Sequence, residues 1–164
     1  MDFLKSHLME RLKFTALINL FSIMKLPLLA FITPEFTEFT NEKCVVKVRL
    51  GYRTRNHLNS MYFGALSMGA ELSIAAAAIQ AIQDSGQKID FIFKDFEAQF
   101  LKRGDASVLF ICDQVAGVRE LVDKAAHSTE RQEHKFEGYA RTVKSEEPIM
   151  KYKLTLSVKN RSKK

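Results

Sequence analysis

The stretch from Tyr62 to Ile82 reads YFGALSMGAELSIAAAAIQAI. Ala65, Leu66, Met68, Ala70, Leu72, Ile74 and the run Ala75–Ile79 leave no polar face at a period of 3.6. The pattern predicts a helix that is buried on all sides, ending near Ser85-Gly86. A strongly curved sheet must wrap such a helix, with a second surface, such as a partner subunit, over whatever the sheet leaves open.

One residue breaks the pattern. Between Arg55 and Asp84 lie 28 residues, and Glu71 is the only one with a formal charge. An ionised carboxylate in apolar surroundings costs several kcal/mol, on the order of 1–3 or more, unless it is paired or hydrogen-bonded. Either Glu71 pairs with a core arginine or faces a small solvated gap, or it opens into a binding cavity with a raised pKa suited to base or nucleophile chemistry. Just upstream, Asn56-His57-Leu58-Asn59-Ser60-Met61-Tyr62-Phe63-Gly64 leads into the helix, with Asn59 or Ser60 as N-cap candidates. The free N–H groups around Phe63 and Gly64 can receive a carbonyl oxygen as it becomes an oxyanion; an ordinary capped helix start is the alternative. Seven residues separate Gly64 from Glu71, about 10 Å along the axis. If both act on one bond, Glu71 comes from a second, antiparallel subunit, which predicts a homodimer, or a dimer of dimers, with composite sites.

The flanking sequence supplies the sheet. Pro27 and Pro34 are expected to end an N-terminal amphipathic helix over residues 1–26, in which Leu8, Leu12, Ala16, Leu20 and Met24 recur every four residues. Its apolar face packs on the protein's own core or touches a membrane surface; no uncharged stretch there is long enough to span a bilayer. Strands are expected at Lys43–Leu50, Ile89–Leu101, Ala106–Cys112, Gln132–Val143 and Ile149–Val158, with a short helix around Val118–Ala126. About five strands and one long helix make a single α+β domain over residues 1–164.

Charge and chemistry exclude several classes. The net charge of +6 arises wholly from Lys151, Lys153, Lys159, Arg161, Lys163 and Lys164, the last four in or beside a short basic tail at 160–164. The rest of the chain is balanced, which argues against a broad nucleic-acid-binding face. The four histidines and two cysteines have no metal-ligand spacing, so no metal and no cofactor is expected. Cys44 and Cys112 sit in apolar runs, which favours reduced thiols and a cytoplasmic location.

These residues resemble the hotdog-fold thioesterase superfamily, in which a curved antiparallel sheet wraps one long helix. Within it they are similar to the phenylacetate-degradation type of acyl-CoA thioesterases, and more so to a little-characterised bacterial branch related to them. The pattern is Asn-x-x-Gly-x-x-His-Gly-Gly with an acid seven residues on; Asn56, Gly64 and Glu71 match it. Asn59, Tyr62 and Phe63 depart from it, standing where the first Gly, the His and the first Gly of the pair would be. Phe100-Leu101-Lys102-Arg103-Gly104 resembles that branch's strand end, and Lys94 its upstream strand lysine. The resemblance implies an acyl-CoA thioester as substrate. It implies Glu71, Asn56, Gly64 and Tyr62 as catalytic residues and Ser60, Met61, Phe63, Lys94, Lys102 and Arg103 as substrate-binding ones. The altered loop leaves a non-catalytic acyl-CoA or lipid-binding protein as the alternative.

Overall fold

The computed structural model describes Met9, Leu12, Lys13, Thr15, Ala16 and residues 26–162. Those five early residues are helical, and Thr15 Oγ1 accepts the Phe36 N–H at 3.2 Å. Leu12 and Ala16, two residues of the predicted apolar stripe, are exposed. The rest of the expected 1–26 helix lies outside the described residues, as do Lys163 and Lys164. Leu26 is non-helical, and Pro27 begins a five-residue helix, α1 (Pro27–Phe31), at a position where its missing N–H is not needed.

Six strands form one antiparallel sheet in the order β1-β2-β4-β5-β6-β3: β1 (Glu35–Phe39), β2 (Cys44–Val48), β3 (Ile89–Phe100), β4 (Val108–Cys112), β5 (Gln132–Thr142) and β6 (Pro148–Asn160). The sixth, β1, is the strand the alternation misses. Its register on β2 shifts between Phe36 and Glu38, and a bulge there destroys the two-residue period that marks a strand. A bulge in β3 between Phe93 and Phe96 likewise places both rings on the inner face, opposite Leu156 and Leu154.

The long helix α2 (Phe63–Ser85) lies on the inner face, and Gly86 closes it in the left-handed conformation at φ 62°. Gly69 lets it approach β4 closely, because a Cβ there would lie 2.3 Å from Phe110 Cε2. A buried polar bridge fixes the same face. The Tyr152 hydroxyl donates to Ile111 O at 3.2 Å and accepts from Ser73 Oγ at 2.7 Å, a proton that Ser73 shares with Ala70 O at 2.8 Å. Every buried polar atom of that bridge has a partner, which keeps its cost low. A last helix, α3 (Val115–Ala126), docks beside the end of α2 through Arg119 Nη1–Asp84 Oδ2 at 3.1 Å.

Burial of α2 is not complete on all sides. Ala65, Leu66, Gly69, Ala70, Leu72 and the run Ser73–Ile79 are buried, but Gly64, Ser67, Met68 and Glu71 are only partly so. Steps of three, four and seven from Gly64 place these four on one stripe. The sheet and α3 cover the buried residues of the helix and leave this stripe open.

Candidate active site

Ser67, Met68 and Glu71 of the open stripe, with Leu72, Ala75 and Ile79 beside them, form one wall of a groove of about 630 Å³. The inner row of β3 (Phe91, Phe93, Phe96) forms the other, and Leu26 and Leu29 border it. Glu71 is the carboxylate that α2 presents to this groove. Among the described residues it has neither a hydrogen bond nor an ion pair, and burial alone pushes its carboxyl above the usual 4.5. The core-arginine alternative therefore does not apply. The other charged groups along the groove are engaged elsewhere. Lys94 Nζ holds Glu133 at 2.7 Å, and Thr155 donates to both oxygens of Asp95, holding that carboxyl below its usual range. A larger hollow, about 710 Å³, lies over the outer face of the sheet, where carboxylates and lysines such as Glu137 and Lys153 pair with each other; Glu71 is not part of it.

The start of α2 is built differently from the expectation. Neither Asn59 nor Ser60 is the N-cap. Tyr62 occupies that position in extended conformation, with no side-chain cap, and its N–H donates to Thr54 O at 2.7 Å. The reason lies in Asn56. Its Oδ1 accepts from Leu58 N at 2.9 Å and from Ser60 N and Oγ, each at 3.2 Å, so Ser60 is consumed inside the loop and buried. Asn56 thus shapes the loop, and its oxygen is already occupied. Asn59 takes φ 57°, the left-handed region Asn tolerates better than most residues, at the place where the resembling pattern has glycine. Asn56→Ala is expected to destabilise the protein by about 1–3 kcal/mol through the unsatisfied loop donors. Thermal melting checks this, and Asn56→Asp, which keeps the acceptor oxygen, should recover part of the loss.

Around this start the chain gathers several of the candidate residues. Met61 N donates to Gly104 O at 2.7 Å and Arg55 bridges Met61, so the 100–104 segment lies against the helix entrance. The Phe63 ring meets Phe100 at 5.5 Å, Lys102 pairs with Glu147, and Arg103 is exposed. The backbone N–H groups of Phe63 and Gly64 have no acceptor among the described residues, as expected for a first helical turn. The Tyr62 ring rests on Gly64, since a Cβ there would lie 2.6 Å from Tyr62 Cε1. Two groups of candidates result. Asn56, Ser60, Met61, Tyr62, Phe63, Gly64, Lys102 and Arg103 surround the helix start, while Glu71 and Lys94 lie along the groove, Glu71 about two turns on.

Sequence reasoning missed Ser67, Met68 and the inner β3 row as groove walls. The signal for the first two was their spacing from Gly64 and Glu71.

Comparison with known proteins agrees with this architecture. The family described as "Domain of unknown function (DUF4442)" matches residues 15–158. No curated protein matches the chain by sequence. Among solved structures, a candidate thioesterase from Shewanella oneidensis superposes with a TM-score of 0.75 at 11% identity, covering 90% of this chain and 98% of that one. A Pseudomonas aeruginosa protein of unknown function, described as a probable thioesterase, gives 0.73 at 18% identity over 90% and 96%. A Haemophilus influenzae thioesterase gives 0.64 at 15% identity over 87% and 88%. The curved antiparallel sheet around one long helix is the hotdog fold.

Proposed function

As the chain belongs to the DUF4442 family and has the hotdog fold, we propose that it is a thioester hydrolase acting on acyl-CoA, with its site shared between two subunits. The observation that carries this reading is Glu71: a carboxylate with no partner among the described residues, its pKa raised by burial, in a mostly apolar groove large enough for an acyl chain. Such a carboxylate is poised as a general base. The thioester carbonyl oxygen lies at the N–H groups of Phe63 and Gly64. Glu71 of the partner subunit removes a proton from water as the water oxygen attacks the carbonyl carbon. Collapse of the tetrahedral intermediate breaks the C–S bond, and the proton passes to the thiolate, giving a carboxylic acid and free CoA thiol.

A second copy is supported by the β3 edge. It has no strand on its outer side among the described residues, and Ile92, Phe96 and Phe100 along it are 54%, 37% and 45% exposed, a surface of the kind that partner chains cover. Size-exclusion with light scattering is expected to give a dimer or a dimer of dimers. A strict monomer would remove the composite site.

One observation favours a second reading, a non-catalytic acyl-CoA or lipid-binding protein: the Tyr62 ring lies on Gly64, beside the N–H groups that would hold the oxyanion. Release of free thiol from a panel of acyl-CoAs, with Glu71→Ala as control, separates the two. Thiol release that Glu71→Ala abolishes supports the hydrolase. Binding without release at any chain length supports the binding protein.

A further inference from the structure

The arginines of the described residues divide into two groups. Arg49, Arg119, Arg141 and Arg161 each hold a carboxylate, and Arg131 donates to Ser157 Oγ. Among the described residues, Arg53, Arg55 and Arg103 hold no carboxylate, and neighbouring Asp105 pairs with none of them. All three lie at the entrance to α2. Arg53 and Arg55 are in the loop that precedes it, and Arg103 is next to Gly104, whose carbonyl receives the Met61 N–H across from Arg55.

Their setting prepares them for an anion. The Arg53 guanidinium lies 5.5 Å above the Phe31 ring, two residues from Leu29 at the border of the groove. The Arg55 guanidinium lies 6.0 Å from the Tyr52 ring centroid, and its Nη1 donates to Asn59 Oδ1 at 3.1 Å. An aromatic face or an amide oxygen orients a guanidinium without neutralising it, so the remaining N–H groups stay available for a bidentate phosphate. Tyr52 adds a second feature. It is 88% exposed, so it contributes little to the core, and its flat ring stands beside Arg55. Exposed aromatic rings next to positive charge are the platform on which nucleobases stack.

We propose that Tyr52, Arg53, Arg55 and Arg103 form the site for the nucleotide end of the substrate, with phosphates on the arginines and the adenine on Tyr52. The proposal rests on the acyl-CoA reading above and deepens it. It places the carrier outside the groove, at the helix entrance, and leaves the groove to the acyl chain. An acidic carrier protein would satisfy the arginines but leave Tyr52 without a base, so the ring favours the nucleotide.

Calorimetric titration of the full-length protein with CoA, adenosine 3′,5′-bisphosphate, pantetheine and inorganic phosphate tests it. CoA and the bisphosphate are expected to bind, with pantetheine at least about tenfold weaker and CoA affinity falling as NaCl rises. The double variant Arg55→Ala/Arg103→Ala should weaken CoA at least about tenfold. Tyr52→Ala should weaken it about tenfold, and Tyr52→Phe should not. These exposed positions allow the variants to be checked for unchanged melting. Pantetheine binding as tightly as CoA, or variants without effect, would overturn the proposal even if thioesters are hydrolysed. Inorganic phosphate displacing CoA as strongly as the bisphosphate would overturn it too, because the base would contribute nothing. Nucleotide binding with no thiol release from any acyl-CoA would support this site while removing the hydrolase reading.

Discussion

Glu71→Gln is expected to lower kcat/KM for acyl-CoA hydrolysis by about 10²–10⁴-fold, the usual contribution of a positioned general base. Gln keeps the size and hydrogen-bonding capacity of the side chain and removes only the proton acceptor. The loss should fall on kcat, with KM little changed, because Glu71 meets water at the reacting centre and does not hold the carrier. Steady-state free-thiol release measures both constants. The wild-type rate should rise with pH as Glu71 ionises, with a midpoint above the 4.5 of an ordinary Glu because burial raises its pKa. The residual rate of the Gln variant should lack that limb.

The same substitution carries a second sign that separates function from structure. A carboxyl whose pKa is raised in the folded state holds its proton more tightly there than in the unfolded chain. Stability is therefore undiminished below 4.5 and is lost as pH rises through the folded pKa. Glu71→Gln should then raise the melting temperature at neutral pH, with the gain fading as pH falls through the raised folded pKa toward 4.5. A glutamate that served only to hold the fold together would show the reverse. A drop in stability at pH 7 together with unchanged thiol release would refute its role as base.

Glu71 was legible in the sequence because the cost of burying a carboxylate does not depend on which fold buries it. The long helix was legible for a related reason, since a stretch such as Tyr62–Ile82, without a polar face, has to be enclosed by something. The open stripe was not. Ser67 and Met68 are as compatible with burial as their neighbours, so no contrast in polarity distinguishes the face that the sheet leaves uncovered. β1 was hidden by a bulge, which removes the period that reveals a strand. The helix start was misplaced because a local competition decided it. The Asn56 side chain captures Ser60, and the cap position passes to Tyr62. Such competitions are settled by loop geometry, and the residue types alone favour the wrong winner.

Gly69→Ala is expected to destabilise the protein although alanine is the better helix former. A Cβ at Gly69 would lie 2.3 Å from Phe110 Cε2, and Phe110 is fully buried, so its ring has no free space to yield into. Overpacking of this kind costs about 1–3 kcal/mol, and so short a contact with an enclosed ring belongs at or above the top of that range. Replacing glycine within a helix returns up to about 1 kcal/mol. The net loss should be about 2 kcal/mol, a fall in melting temperature of about 4–8 °C for a chain of this size. Phe110→Leu should itself destabilise, but adding it to Gly69→Ala should cost less than the sum, since the smaller side chain makes room for the methyl group; a double-mutant cycle reads this directly. Additive losses would mean that Gly69 is needed for some reason other than the ring. The contact also bears on the site. Gly69 lies two residues before Glu71, and its close approach to β4 sets the rotation of α2 that turns Ser67, Met68 and Glu71 toward the groove. A helix lifted off Phe110 should therefore lose thiol release together with stability, and the Phe110→Leu background should restore part of both.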